Sequence, residues 1–264
     1  KLEIIINNLN KNFNLKNINF TENKNNILIR NLNISENFKI KTLDELDVNI
    51  LNTNKVLNKF KIKRNSNNYN FTGLQIDGEK LVEILLKSNS KNKMHKLFDN
   101  INTSIIFNIN KIYLEENEYL EKFIGNLDIK DNKLYISNIN AVLNKKNQFL
   151  YSYRTTSKGK KITNISIDEP KAFINNYKFI KGFEEGTLKL SSTKIDNSTR
   201  SNLKITNFKV KEVPVLAKIL TLASLQGIAD LLTGEGIRFD QFEMDFKTKN
   251  NLTEIDEMYA LGPS

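Results

Sequence analysis

Five carboxylates and one histidine are the residues of this chain whose types could carry out acid–base or metal chemistry. They are Glu184, Glu185, Asp240, Glu243, Asp245 and His95. The carboxylates occupy turn positions or the polar positions of alternating segments, with no histidine, cysteine or nucleophile motif beside them. A single histidine and the absence of cysteine come close to excluding a zinc site. We interpret the carboxylates as solvated charges and predict no enzyme, no metal site and no cofactor.

Two further features could bind anions, but neither is specific. The Gly-Glu-Gly stretch at Gly234–Gly236 is too short for a phosphate-binding loop and follows a predicted helix instead of preceding one. The net charge of +10 and the pI of about 9.4 would suit an anionic partner. The excess lysine is spread over the first 200 residues, however, without an arginine-rich cluster or a nucleic-acid-binding motif. We interpret it as a solvated surface and predict no nucleic-acid partner.

Strands are the elements that must position any site, because polar and apolar residues alternate along most of the chain. Ile105, Phe107 and Ile109 fall on one face of such a segment. In three later segments the same alternation brings seven apolar residues into phase: Leu188, Leu190, Leu203, Ile205, Phe242, Met244 and Phe246. Polar residues between them are typical of an antiparallel sheet with one face in water. With 42 Asn against 10 Gly and 3 Pro, we expect Asn and Asp to supply the turns, as at Asp131-Asn132.

Three segments break the alternation and predict helices: one near 79–98, a short one at Glu169–Tyr177 and one near 214–232. The last is apolar on nearly every side, because its few polar residues scatter around the helix axis. Lys218 and Asp230 would each cost about 2.5–3.5 kcal/mol at the centre of a bilayer. We therefore expect this helix to pack on the apolar face of a sheet, through Leu216, Ile219, Leu220, Ala223 and Leu231.

A short internal repetition links two of these regions. Leu74–Val82 and Ile165–Phe173 align without gaps at an offset of 91 residues. In both, an alternating strand ends at an aspartate, Asp77 or Asp168, that could cap the helix behind it. Coincidence stays open as the explanation of so short a match. A true repetition predicts a sheet that is extended by successive units of strands and a helix.

The stretch Phe208–Ser264 resembles the C-terminal part of the AsmA family, especially its YhdP-like members. The matching features are a strand, Val-Pro-Val-Leu-Ala, an apolar helix, Leu-Leu-x-Gly-Glu-Gly, Phe-Asp, and two strands that close on Gly-Pro. Ile165–Ser192 is similar to the segment that precedes this part in the family. The resemblance is specific over 165–264 and extends to the first 160 residues only as a pattern.

The resemblance implies a mainly β fold: an elongated, curved antiparallel β-sheet groove built from repeats, with helices packing on its apolar face. We expect residues 1–264 to form a single elongated segment of a larger protein, with a groove repeat and helix at 1–100 and an AsmA-like region at 101–264. The implied function is non-enzymatic shielding of phospholipid acyl chains for transport between the inner and outer membranes. The implied location is the periplasm, with an inner-membrane anchor helix that lies outside this chain.

The ten in-phase apolar residues named above are the predicted lining of the groove. Such a lining would shield acyl chains without recognising a headgroup, since each CH₂ exposed to water costs about 0.8 kcal/mol. An ordinary hydrophobic core is the plainer interpretation of the same pattern. A scaffold in outer-membrane protein assembly is a second alternative, in which an exposed sheet edge receives a client strand.

Overall fold

The structure of this chain is a computed structural model that describes residues 2–9, 12–53, 55–78, 101–115, 118–174, 181–212, 236–250 and 252–262. These residues fold almost entirely into β-strands, which confirms the predicted β class. The chain divides into two compact units, Lys1–Lys145 and Lys146–Ser264. The helices predicted near 79–98 and 214–232 lie outside the described residues, together with His95, Leu216, Ile219, Leu220, Ala223 and Leu231.

The described residues of the first unit form nine strands that pair in chain order. They are β1 (Leu2–Leu9), β2 (Asn12–Glu22), β3 (Asn25–Ile34), β4 (Ile40–Leu51), β5 (Leu57–Asn65), β6 (Asn68–Asp77), β7 (Thr103–Glu115), β8 (Glu118–Lys130) and β9 (Lys133–Leu143). Neighbours are antiparallel except β6 and β7, which are parallel. The prediction of a purely antiparallel sheet is wrong at this step. The 25 residues from 78 to 102 supply the connection of about a dozen or more residues that a parallel pair requires.

In the second unit, the part of the chain that the structure describes forms six strands, again paired in chain order and all antiparallel. They are β10 (Asn147–Thr155), β11 (Lys161–Asp168), β12 (Lys181–Ile195), β13 (Ser198–Glu212), β14 (Ile237–Lys249) and β15 (Leu252–Leu261). One helical turn, α1 (Lys171–Ile174), follows β11. Of the helix predicted at Glu169–Tyr177, this single turn is the part that the described residues contain.

Asparagine and aspartate supply many of the turns, as the composition predicts. Asp131 and Asn132 join β8 to β9 with φ values of 49° and 59°, the pattern of a two-residue hairpin turn. Other turn residues with positive φ include Asn23, Asn144, Asp196 and Asn250. Asn and Asp enter this left-handed region more readily than other residues with a side chain. The high asparagine content therefore substitutes for glycine at chain reversals.

The alternation of faces shifts by one residue inside some strands. In β13, Ile205 and Phe208 belong to the same buried cluster although they are three residues apart. Asn207, which lies between them, has a φ of 53°. A strict period of two would place Ile205 and Phe208 on opposite faces. They share one face because the residue at positive φ changes the phase of the strand.

The two aspartates of the repeated segment hold neighbouring strands together. The Asp168 carboxylate accepts hydrogen bonds from the backbone N–H of Gln148 and the hydroxyl of Thr187, both at 3.2 Å. The helical turn α1 starts three residues later, so the prediction that Asp168 caps it is wrong. The Asp77 carboxylate similarly accepts a hydrogen bond from the Asn52 side chain. In both places the carboxylate satisfies donors at the end of an adjacent strand or in the loop before it.

Candidate functional site

The candidate site of the second unit is the face of its sheet that carries the predicted apolar residues. Strand pairing arranges that face in two apolar rows, each with one residue from every strand. Directly paired residues of antiparallel strands have neighbouring side chains on the same face. The first row is Phe149, Ile167, Leu188, Ile205, Phe242 and Ala260. The second row is Tyr151, Ile165, Leu190, Leu203, Met244 and Met258.

Six of the seven residues predicted in this region lie in the apolar rows, and Phe246 lies one step further along β14, opposite Ser201. Their common face follows from the observed register, whereas their role as a lipid lining stays a prediction. Sequence reasoning missed the contributions of β10, β11 and β15, namely Phe149, Tyr151, Ile165, Ile167, Met258 and Ala260. The signal was available for β10 and β11, since both strands alternate as β12 and β13 do. In β15 the bulge opposite Asp245 and Phe246 interrupts the period.

At one end of the strands the same face is a closed core, which we call the closed end. Its buried members are Ile174 of α1, Phe183, Phe208, Val210 and Ile237, with Ile205 at its border with the rows. Phe208 stacks between Phe183 and Phe239, with ring centroids 5.4 and 5.1 Å away. These contacts bury Phe183 to 1% exposure. The closed end is the ordinary hydrophobic core of this unit.

The apolar rows are covered less completely than the closed end. Phe149, Ile167 and Ile205 are buried, and Leu188, Leu203 and Phe242 are partly buried against the closed end. Leu190 and Met244 keep intermediate exposure, and Met258 is 58% exposed. Apolar surface left in water costs roughly 25 cal/mol per Å² relative to burial. A further apolar partner that covered the rows would therefore be bound favourably.

Tyr151 reports the low polarity of this face. Burial raises the pKa of its phenol to about 12, and the neighbouring Tyr153 adds to the shift. Ionisation is disfavoured because a phenolate on this face would lose most of its hydration. The surroundings of Tyr151 in the second apolar row are therefore weakly hydrated.

Beyond the second apolar row, towards the hairpin turn of β12 and β13, the face becomes polar. The next row is Tyr153, Thr163, Ser192 and Ser201, followed by the apolar Phe246 and Ile255. Ser192 Oγ and Ser201 Oγ are 2.8 Å apart and share a hydrogen bond. We call the first four residues the hydroxyl row. It bounds the apolar rows on the side away from the closed end.

In the first unit, Ile105, Phe107 and Ile109 also share one face of their strand. Phe107 is paired with Phe71 of β6 and Gly125 of β8. The pairings extend this row over eight strands as Ile18, Ile29, Leu46, Ile62, Phe71, Phe107, Gly125 and Ile139. The rings of Phe60, Phe71, Phe107 and Phe123 form a ladder with centroid separations of 5.3, 5.6 and 5.9 Å. Apolar rows across successive strands therefore occur in both units.

Four of the five candidate carboxylates, Glu184, Glu185, Glu243 and Asp245, form ion pairs or hydrogen bonds with neighbouring side chains. Glu184 pairs with Lys211 at 2.8 Å, and this hydrogen bond lowers the pKa of Glu184. Glu185 pairs with Arg238 at 3.0 Å. Asp240 is exposed. In the part of the chain that the structure describes, no group of three or more acidic or histidine side chains is arranged to hold a metal ion.

Glu243 and Asp245 belong to a hydrogen-bonded network on the opposite face from the apolar rows. Glu243 accepts hydrogen bonds from Tyr259 at 2.6 Å, from Asn202 at 2.9 Å and from Gln241 at 3.0 Å. The bond from Tyr259 is the main cause of the lowered pKa of Glu243 and of the raised pKa of Tyr259. Asn202 also donates to Asp245 at 3.1 Å. The network links β13, β14 and β15 on the wet face of the sheet.

Comparison of the chain with protein-family models, with curated proteins and with solved structures finds no match. None of the helical segments within the described ranges is long and apolar enough to cross a bilayer. The resemblance to the AsmA family therefore rests on the sequence features of 165–264, and the groove-packing role of the helix near 214–232 stays a prediction.

Proposed function

We propose that this chain shields phospholipid acyl chains during their transport between the inner and outer membranes of a cell envelope, as the resemblance to the AsmA family implies. The observation that carries the proposal is the pair of half-covered apolar rows across β10–β15. A similar row across β2–β9 supports it. The proposed role is physical shielding, with no chemical step and hence no catalytic residue, metal or cofactor.

The energy scale of lipid transfer fits such a surface. Exposing an acyl chain of about 16 carbons to water costs on the order of 12 kcal/mol, at about 0.8 kcal/mol per CH₂. Six strands about 4.8 Å apart present a row roughly 24 Å from the first strand to the last. A chain lying along the rows would meet side chains of every strand in the second unit. Shielding of an acyl chain, without recognition of its headgroup, requires apolar surface area rather than a specific pocket.

On this proposal the partners are phospholipids and the two membranes, which are reached through parts of the protein outside this chain. The location is the periplasm, with anchorage to the inner membrane by an N-terminal helix that is likewise outside it. The partners and the location both follow from the resemblance. Extraction and mass spectrometry of lipids that copurify with the chain would test directly whether phospholipids are partners.

The apolar rows can be tested by placing a charge in them. Leu190→Asp and Met244→Asp each put a carboxylate where an acyl chain would lie, and an unpaired buried charge costs several kcal/mol. We expect both variants to fold, because these positions are only partly buried, and to lose crosslinking to a phospholipid with a photoreactive acyl chain. Ile205→Asp is expected to unfold the second unit, because Ile205 borders the closed end.

Ser191→Asp is the matched control, since Ser191 is exposed on the opposite face of β12. It should keep both the circular dichroism spectrum and the lipid crosslink of the unaltered chain. Loss of folded structure in Leu190→Asp and Met244→Asp would identify the rows as ordinary core and refute the proposal. Retained crosslinking in both folded variants would refute it equally.

One observation favours the alternative of a scaffold for outer-membrane proteins. Every residue of β15 is exposed, and β15 pairs only with β14 among the described strands. An unpaired edge of this length can accept another strand through its backbone hydrogen bonds. Identification of the copurifying material separates the two functions: polypeptide without lipid would favour the scaffold.

A further inference from the structure

The face that carries the apolar rows ends in a row of hydroxyls and lysines. Beyond the hydroxyl row, the next paired residues are Thr155, Lys161, Lys194, Thr199, Thr248 and Thr253. Lys161 of β11 and Lys194 of β12 are directly opposite each other. Lys161 is four residues from Ile165 in β11, and Lys194 is four residues from Leu190 in β12. Because side chains alternate with a period of two, both lysines lie on the same face of the sheet as the apolar rows.

This lysine pair lacks an anionic partner within the described residues. No ion pair there joins Lys161 or Lys194 to a carboxylate, although eight other ion pairs are formed. Like charges directly opposite each other in a sheet destabilise it. An anion held between the two ammonium groups would remove that repulsion. The charge arrangement therefore points to an anionic ligand group at this end of the face.

The four kinds of surface follow one another in a fixed order along the strands. The closed end is followed by two apolar rows, then by the hydroxyl row, and then by the lysine pair. Successive rows are about 7 Å apart, because residues on one face recur every second position. A glycerophospholipid whose acyl chain lies along the apolar rows, across the strands, can reach the next row with its ester oxygens, which accept hydrogen bonds, and the row after that with its anionic phosphate.

We propose that the second unit binds phospholipids in one orientation, with the acyl chain on the apolar rows and the phosphate at Lys161 and Lys194. The hydroxyl row then faces the ester oxygens, which can accept hydrogen bonds from hydroxyl groups such as that of Thr163. The inference rests on the proposed function and adds to it a headgroup contact that an apolar groove by itself does not supply. The substrate class is amphiphiles with a phosphate next to the glycerol backbone.

The experiment compares three probes on the full chain by calorimetry: lysophosphatidic acid, the monoacylglycerol with the same acyl chain, and inorganic phosphate. We expect lysophosphatidic acid to bind about tenfold more tightly than monoacylglycerol, as two lysines close to a lipid phosphate would produce. Raising the salt concentration should shrink that preference. Lys161→Gln with Lys194→Gln should abolish the preference and leave monoacylglycerol binding unchanged.

The control variant is Lys189→Gln with Lys204→Gln. These two lysines are paired with each other and lie on the other face of β12 and β13. It should keep the tenfold preference. Equal binding of the two amphiphiles by the unaltered chain overturns the orientation but leaves the shielding function standing, whereas failure of both to bind overturns the shielding function as well. Binding of inorganic phosphate as tight as that of lysophosphatidic acid would also overturn the inference, because it would mark an anion site independent of lipid.

Discussion

Within the second unit, the closed end and the apolar rows are two regions of one sheet face with the same kinds of side chain and different surroundings. At the closed end, Ile174 of α1 and stacked rings cover the strands, and Phe183 is 1% exposed. In the rows, residues such as Leu190 and Met244 keep intermediate exposure. The alternation of the sequence is equally clear in both. The difference shows that a period of two defines a face but does not define what covers it.

The largest expected difference concerns the loss of an aromatic ring. Phe183→Ala should lower the free energy of unfolding by about 3–5 kcal/mol, because it leaves a cavity in a fully packed cluster. Phe242→Ala, in the first apolar row, should cost less, about 1–2 kcal/mol, because Phe242 is only partly buried where it packs against the same cluster. Urea denaturation followed by circular dichroism measures both. Equal losses would remove the distinction between the closed end and the rows.

Gly186 tests how tightly the closed end is packed. It has a φ of 83°, and a Cβ added there would lie 2.7 Å from the Phe208 Cβ and 2.9 Å from the Thr206 carbonyl oxygen. Gly186→Ala should therefore cost about 2–4 kcal/mol, through backbone strain and overpacking together. Gly159, in the turn after β10, has a φ of 75° and open space around it. Gly159→Ala should show the backbone strain alone, about 1–2 kcal/mol by the same denaturation measurement.

The apolar rows should make stability sensitive to alkaline pH through Tyr151. Its pKa is about 12 in the folded chain against 10.0 ordinarily, so the unfolded chain loses this proton first as the pH rises. The contribution is complete below pH 10 and declines as the pH approaches 12. In Tyr151→Phe, the free energy of unfolding should decrease less steeply between pH 10 and pH 12. An unchanged slope would mean that Tyr151 is well hydrated and that the rows are as wet as the outer face.

The smallest effect is expected on the opposite face, at Glu243. Its pKa lies below the ordinary 4.5, chiefly because of the hydrogen bond from Tyr259, with a further bond from Asn202. The stabilisation is present above pH 4.5 and is lost as acid protonates the folded carboxylate. Glu243→Gln should reduce the acid sensitivity of unfolding slightly, since exposed interactions are screened by water. An effect as large as that of Phe183→Ala would contradict a surface role for this network.

The fold class was predictable because its signal is local. Alternation identified strands, and asparagine and aspartate identified turns such as Asp131-Asn132. The in-phase placement of Leu188, Leu190, Leu203 and Ile205 followed from the same period. Registers between strands were not predictable from alternation, because a slip of two residues keeps every side chain on its face. The pairing of Leu188 with Ile205 is set by the two-residue turn between Ile195 and Ser198.

The remaining errors have a shared cause, which is that they depend on non-local contacts. Asp168 has the sequence context of a helix cap, but the donors that it satisfies are on strands 19 and 20 residues away. The lysine pair was hidden in the same way, since Lys161 and Lys194 become neighbours only through the pairing of β11 with β12. The sequence by itself does not show that two lysines 33 residues apart will be paired across neighbouring strands.

The parallel pairing of β6 with β7 has a consequence for the order of folding. Most strands can form hairpins with the next strand after a turn of a few residues, whereas β7 must find β6 across a 25-residue connection. Closing a loop of that length instead of a two-residue turn costs about 2 kcal/mol more in chain entropy. The hairpins before β6 and after β7 can form independently and quickly. We expect the pairing of β6 with β7 to be the slowest step in the folding of the first unit.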